Sequence, residues 1–451
     1  MSKILPTIGP KTEKLKDIKK IISFSDFLRL NGSHNTLAWH EKISKIIKSI
    51  NPTIKILFDL PGIKPRTANK SELEINLNDK IVFYFGKYPK KIDGIKVKIT
   101  QPLPVTEKKI KHFSISDGKF LFHSKKKCKN YIIGKSLSKF TLLTRQGLNI
   151  PHSKYNEKKQ LKIYLKFLAK CKKRIKFDAI GLSFVQTGMV TRLIKLKFRN
   201  LAIISKIENS ERLKNLKSIC QNSNGIMIDR GDLAAEIGDQ KLFDSILEIS
   251  KECNKQSIPL IMATENLGSM LTKNSPNKSE IVSLGFSNLL KIDRIMLSEE
   301  TSISNNWKQT LKWLNKFLTS LENKQAHKTQ VKKSDFFWEI FKSIKNIPVI
   351  LFTKKGYAIN NILNTNQDAE FFVFTDNNKV DTVSKLRSNV HSIMTDKFDN
   401  TNLNNFINKN IKRNIKLLFK NSSNAILIYV ANPRKNSRAN TLQFVSRRDY
   451  K

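Results

Sequence analysis

A (β/α)₈ barrel, with a small all-β domain inserted after its third strand and an α/β domain at its C-terminal end, is the fold class this sequence predicts. Three observations predict it. Eight short, nearly continuous apolar runs alternate with stretches whose Leu and Ile recur at helical spacing, which is the pattern of a closed barrel of parallel strands buried on both faces. The alternation breaks once, between Thr67 and Pro151, where short alternating runs replace the helical ones. From about Asp335 a fresh strand-and-helix alternation begins.

In order, the barrel runs are ILPTIG (4–9), DFLRLN (26–31), IKILFDL (54–60), DAIGLSF (178–184), LAIISKIE (201–208), GIMIDRGD (225–232), IPLIMAT (258–264) and DRIMLSE (293–299). Helical spacing follows the fifth and sixth of them, at 209–222 and 239–254. Within the interruption, KIVFYF (80–85) and IKVKIT (95–100) alternate as strands do, Asp117-Gly118 is a turn signal, and 140–143 is a further short run. The C-terminal runs at 349–353, 371–375, 392–395, 426–430 and 442–445 predict a mostly parallel sheet. The expected division is 1–67 for the first part of the barrel and 68–151 for an inserted β-barrel lid. Residues 152–334 form the second part, with the catalytic site, and 335–451 the C-terminal domain. A chain of 451 residues is long enough for several cores.

Composition narrows the class. No run approaches the roughly 18–20 apolar residues of a membrane span, and the N-terminus runs straight into a strand without a signal-peptide pattern. Cys128, Cys171, Cys220 and Cys253 are far apart in sequence and form no CxxC pair, so they read as reduced thiols of a cytoplasmic protein. The formal net charge of +46 invites a nucleic-acid reading. Against it, lysines are spread along the chain and Lys far outnumbers Arg, whereas phosphate forks and base edges favour Arg. Asn, Ile and Phe rise together with Lys, as an A+T-rich coding sequence produces. The expectation is non-specific, salt-dependent attraction to polyanions only.

Catalytic groups of such a barrel project from the C-terminal ends of its strands, and here those ends are polar while the strand bodies are apolar. They carry Thr7-Ile8-Gly9-Pro10, then Arg29-Leu30-Asn31-Gly32-Ser33-His34, then Asp59 with Lys64 and Arg66 beyond it. Further on come Lys206-Ile207-Glu208, Asp229-Arg230-Gly231-Asp232 and Ala263-Thr264. Two residues apart on one strand, Lys206 and Glu208 face the same way. Glu208 and Asp232, at neighbouring strand ends, suit a hard divalent ion that keeps positions open for substrate oxygens. A lysine beside that ion suits an anionic phosphoryl or enolate group, and phosphoryl transfer needs chiefly such charge neutralisation.

The segments TIGPKT, RLNGSH, DLPGIKPRT, SKIEN, GIMIDRGDLAAEI, MATENLGSM and IMLSEET, with RANTLQF near the C-terminus, occur in an order that resembles the pyruvate kinases over nearly the whole chain. The resemblance implies transfer of a phosphoryl group from phosphoenolpyruvate to ADP, giving pyruvate and ATP, in a cytoplasmic homo-oligomer, by analogy a tetramer. It assigns Arg29 and Arg66 to the transferring phosphate and Lys206 to its transition-state charge. Glu208 and Asp232 would hold Mg²⁺ or Mn²⁺, and Thr264 would lie on the proton's route to the enolate carbon. The backbone at Gly231-Asp232 would receive the substrate carboxylate. Pro10, Asn31, His34 and Arg66 would border the nucleotide, with a loop hydrogen-bonding role equally open for His34. Asn31, Ser33 and Asp59 match three ligands of the K⁺ site of potassium-requiring members. Leu60 stands in place of the fourth and Lys64 in place of a Glu, so an ammonium takes the ion's part and K⁺ is not required.

Departures from that pattern are Asp229 for a small Ala, Ala234 for a Gly, Glu265-Asn266 for Gln-Met, Glu299 for a Gly, the Ile63/Pro65 order, and SLGFS at 283–287. Asp229 would repel a substrate carboxylate unless paired or turned away. The turn at 353–357 lacks the hydroxyl-rich sugar-phosphate loop of regulated members. Two other readings stand beside the enzyme: a catalytically weakened homologue kept for binding, and a basic nucleic-acid-binding protein on the same barrel.

Overall fold

The computed structural model describes residues 2–106, 109–116, 118–322, 347–365, 369–398, 402–430 and 441–450. Asp117 of the expected turn, the boundary expected at 334/335 and Arg438 to Asn440 of the RANTLQF segment lie outside the described residues.

Eight parallel strands make the barrel: Lys3–Pro6, Phe27–Asn31, Lys55–Asp59, Ala179–Leu182, Ala202–Ile207, Gly225–Asp229, Leu260–Ala263 and Arg294–Leu297. From the second strand on, each pairs with the next, and the last pairs with the first through Lys3 beside Arg294. Thr7 bridges to Arg29, and the Ile8 N–H donates to the Arg29 carbonyl at 3.0 Å, which closes the ring. The period of two sorts the side chains. Leu5, Phe27, Leu57, Ala179, Ala202, Ile204, Met227, Ile261, Ala263 and Met296 fill the interior. Their neighbours Ile4, Leu28, Ile56, Phe58, Ile180, Ile203, Ile226 and Ile228 pack outward with apolar residues of the surrounding helices. Arg29, Asp59, Lys206 and Asp229 continue the inward-facing parity to the C-terminal rim, as Lys55 and Arg294 do at the opposite end.

Between the third and fourth barrel strands every regular element among the described residues is a strand until Glu157, as the sequence pattern predicts. A six-stranded sheet is accompanied by two strand pairs around a core that includes Phe83, Phe113, Phe122 and Ile132. Two of the expected runs differ from the structure. The stretch at 209–222 is broken into Ser210–Lys214 and Leu216–Asn222 at Asn215. The expected sixth run stops at Asp229 because Arg230 opens a helix, Arg230–Ile237.

The C-terminal strands Val349–Phe352, Phe371–Thr375, Val390–Met394, Asn424–Tyr429 and Thr441–Ser446 form one sheet, parallel except for the last strand. Its helix Asn378–Leu386 closes the bottom of the barrel. Leu386 joins the interior cluster, the Arg294 Nε–H donates to the Lys385 carbonyl at 3.0 Å, and Lys55 pairs with Asp381 at 2.6 Å. Cys220 and Cys253, distant in sequence, come together on adjacent helices with their sulfurs 4.0 Å apart, and both are free thiols.

Candidate active site

Lys206 is the hub of the C-terminal rim. Its ammonium lies 2.8 Å from Glu208, 3.1 Å from Asp229 and 3.7 Å from Asp59, and it donates to the Ser183 hydroxyl at 3.3 Å. Burial opposes its charge, but Asp59, Glu208 and Asp229 outweigh burial and hold its pKa well above the usual lysine value. Asp59 is 2% exposed and accepts both Nε–H and Nη2–H of Arg29, at 3.1 and 2.6 Å. Burial alone would raise the Asp59 carboxyl, yet Lys206 and Arg29 keep it below the ordinary range. The remaining donor edge of Arg29 reaches the hydroxyls of Thr7 at 3.1 Å and Ser298 at 3.4 Å.

Glu208 is almost fully buried. Oε2 accepts the Phe184 N–H at 2.8 Å and pairs with Arg212 one helical turn on, at 3.3 Å. Burial raises its pKa despite Lys206 and Arg212. Asp232, in the first turn of the helix after the sixth strand, ion-pairs with Lys64 and accepts from the Asn149 side chain of the inserted domain at 2.9 Å. Burial works against its charge, but Lys64 and Asn149 hold its carboxyl below the usual range. One oxygen each from Glu208, Asp229 and Asp232 lie within 4.8 Å of one another, close enough to share one cation.

Asp229 is thus paired rather than bare: beyond Lys206, its Oδ1 accepts from the Thr264 hydroxyl at 3.2 Å. Thr264, with φ of +59°, also accepts the Gly231 N–H at 3.2 Å, so the backbone donor assigned to a substrate carboxylate is engaged by a catalytic candidate. Arg230 anchors this corner through Ser283 and Asn266, each at 2.9 Å.

Lys64 corrects an expectation. It was assigned a place beside Asp59, but the structure pairs it with Asp232, while Asp59 takes its positive charges from Arg29 and Lys206. The reason is steric as well as electrostatic. Leu60 is buried, and the chain beyond it lies against the inserted domain, where a Cβ on Gly147 would stand 2.7 Å from Lys64 Cε. Of the other cation-site residues, the Asn31 side chain accepts the Ser33 N–H at 3.1 Å. Arg66 donates to the Arg145 carbonyl of the inserted domain at 2.9 Å. Pro10 and His34 are exposed at the rim. Partial desolvation, with the positive charges of Arg66, Arg29 and Arg145, lowers the His34 pKa, so the expected nucleotide edge is electropositive.

Sequence reasoning missed Ser183, Asn149 and Arg212. Only Arg212 carried a signal, four residues after Glu208 and so one helical turn away.

The family model described as "Pyruvate kinase, barrel domain" matches residues 1–311. A pyruvate kinase of Thermococcus litoralis is 31% identical over 324 residues, covering 67% of this chain and 66% of its own length. Pyruvate kinases of Methanocaldococcus jannaschii and Staphylococcus aureus are 30% and 26% identical, over 70% and 72% of this chain and 68% and 58% of their own. The chain therefore spans about two thirds or less of these relatives' length. With more than half of its residues matched by the barrel-domain model, the chain belongs to the pyruvate kinase family.

Proposed function

We propose that this protein transfers the phosphoryl group of phosphoenolpyruvate to ADP, giving pyruvate and ATP. The observation that carries the reading is Lys206, a buried ammonium held among three carboxylates at the barrel rim. Such an ammonium is charged before substrate arrives and costs no reorganisation when negative charge builds on the transferring group. Arg29 and Arg66 hold the phosphate from the second and third strand ends. Asn31, Pro10 and His34 border the nucleotide, with Arg66 between the two substrates.

Glu208 and Asp232 fit a divalent ion, Mg²⁺ or Mn²⁺: both offer hard oxygens beside a third carboxylate, Glu208 buried and Asp232 half-buried. When bound, that ion supplies charge neutralisation at the substrate's oxygens. The Gly231 N–H at the helix start takes the substrate carboxylate once Thr264 releases it. The Thr264 hydroxyl then stands on the proton's route to the enolate carbon. We place the protein in the cytoplasm as a homo-oligomer, and among the described residues no helix is long and apolar enough to cross a membrane.

The test is pyruvate formation by purified protein with Mg²⁺, ADP and phosphoenolpyruvate. Lys206→Met is expected to lower the rate at least ~10²-fold, and retention of more than about a tenth would exclude this role for Lys206. K⁺ is not required: Leu60 supplies no ligand, and Asp59, the carboxylate of that site, is already paired with Arg29 and Lys206. Rates in tetramethylammonium and KCl buffers of equal ionic strength are expected to agree. A rise of about tenfold or more with K⁺ would show a working ion site, since one charge beside a buried carboxylate is worth at least that much.

A further inference from the structure

We infer that Asp229 is a third protein ligand of the divalent-ion site, so that this chain holds the ion with three carboxylates of its own. The inference rests on the phosphotransfer reading for the ion's identity and goes beyond it in ligand set.

The geometry comes from the sixth strand and its junction. Asp229 is the last strand residue and Asp232 lies in the first turn of the following helix. Glu208 stands at the end of the neighbouring fifth strand, where Lys206 is paired in register with Met227. Three oxygens, one from each residue, all lie within 4.8 Å of one another. Adjacent ligands around Mg²⁺ or Mn²⁺ are about 3 Å apart and opposite ones about 4 Å, so slight closure completes a three-carboxylate face.

A second observation points at a cation. Glu208 Oε1 is buried and, among the described residues, accepts no hydrogen bond; its close neighbour is the Lys206 ammonium. That same ammonium also serves Asp229 and Asp59. Asp59 also has Arg29 and Glu208 also has Arg212, so Asp229, which shares Lys206 with both, is the carboxylate of the three that a further cation would relieve most. The remaining faces of the ion stay open to substrate oxygens and water.

The position also has a cost for the substrate. With Ala at 229, two carboxylates leave more of the ion's charge for an incoming anion. With Asp, the ion is held more tightly and less of its charge remains. The hydrogen bond from Thr264 to Asp229 then orients the hydroxyl before substrate binds.

The experiment is titration of metal-stripped full-length protein with Mn²⁺, read by electron paramagnetic resonance of free Mn²⁺, with no phosphoenolpyruvate or nucleotide present. Wild-type protein is expected to bind one Mn²⁺ per chain. Asp229→Asn and Asp229→Ala are each expected to weaken binding by ~10-fold or more, as loss of one anionic ligand does. Thermal melts in chelator verify that both variants fold, and the isosteric Asn variant carries the conclusion if Ala does not. Unchanged Mn²⁺ affinity in both variants would overturn the inference, and so would a wild type that takes up Mn²⁺ only with phosphoenolpyruvate. Pyruvate formation is scored separately. Mn²⁺ binding that depends on Asp229 without pyruvate formation sinks the phosphotransfer reading and leaves this one standing.

Discussion

Glu236 lies one turn beyond Asp232 in the helix Arg230–Ile237, and among the described residues its Oε2 accepts no hydrogen bond. Burial, which the nearby Lys64 only partly offsets, pushes its pKa up to about 8. The folded protein therefore holds a proton that the unfolded chain releases near the usual glutamate value. Stability must then fall as pH rises from about 4.5 to about 8, with the full cost present above that range. Glu236→Gln is expected to melt with wild type at pH 5 and several degrees above it at pH 9; parallel melting at both pH values would refute this. Single residues were legible in the sequence where spacing decided them. Lys206 and Glu208 share a face because they are two apart on a strand. The partner of Lys64 was not legible, since it depends on how the inserted domain packs, and no local pattern encodes that. Asp229 read as a liability in sequence because the ammonium and hydroxyl that pair with it come from other strands.

At the scale of elements, the fourth strand shows why a rim of charges can be built at all. Its Gly181 sits in register beside Asp59, and a Cβ there would lie 2.6 Å from Asp59 Oδ1 and 3.3 Å from its Cα. The missing side chain leaves space for the carboxylate that Arg29 and Lys206 share. Gly181→Ala is expected to displace Asp59, destabilise the barrel by about 1–3 kcal/mol and lower pyruvate formation more than it lowers folded yield. Full activity in that variant would show that Asp59 can shift without consequence. The strands themselves were readable because buried parallel strands are nearly continuous apolar runs. Ends were less readable: GIMIDRGD scans as one run, but the chain turns into a helix after Asp229. The break at Asn215 follows the side-chain competition for backbone groups that makes Asn a poor helix-interior residue. The C-terminal sheet was legible down to its five strands, whereas its role as the floor of the barrel was not.

For the whole molecule, that floor is ionic. Lys55 and Asp381 pair at 2.6 Å with side chains 3% and 0% exposed, and Lys385 joins them at 3.2 Å. Asp381→Asn would leave two buried ammonium groups without this counter-charge, at a cost of about 3 kcal/mol or more. The expected readout is a thermal midpoint lowered by several degrees, and an unchanged midpoint would show that Asp178, 4.0 Å from Lys55, suffices. The surplus of +46 charges predicts retention on a polyanion column that is lost as salt rises, with no preference among nucleic-acid sequences. Retention that survives about 1 M salt would contradict a purely electrostatic surface. Lys55 and Asp59 are the first and last residues of one strand, both inward-facing and both buried. At about 3.3 Å per residue they are about 13 Å apart, one gripped by the C-terminal helix and the other gripping Arg29 and Lys206. The strand is therefore a push-rod with a handle at one end and the charged rim at the other. Its five residues are buried throughout, paired along their whole length on one edge and from Leu57 to Asp59 on the other, so a movement of the handle is expected to be felt at the rim.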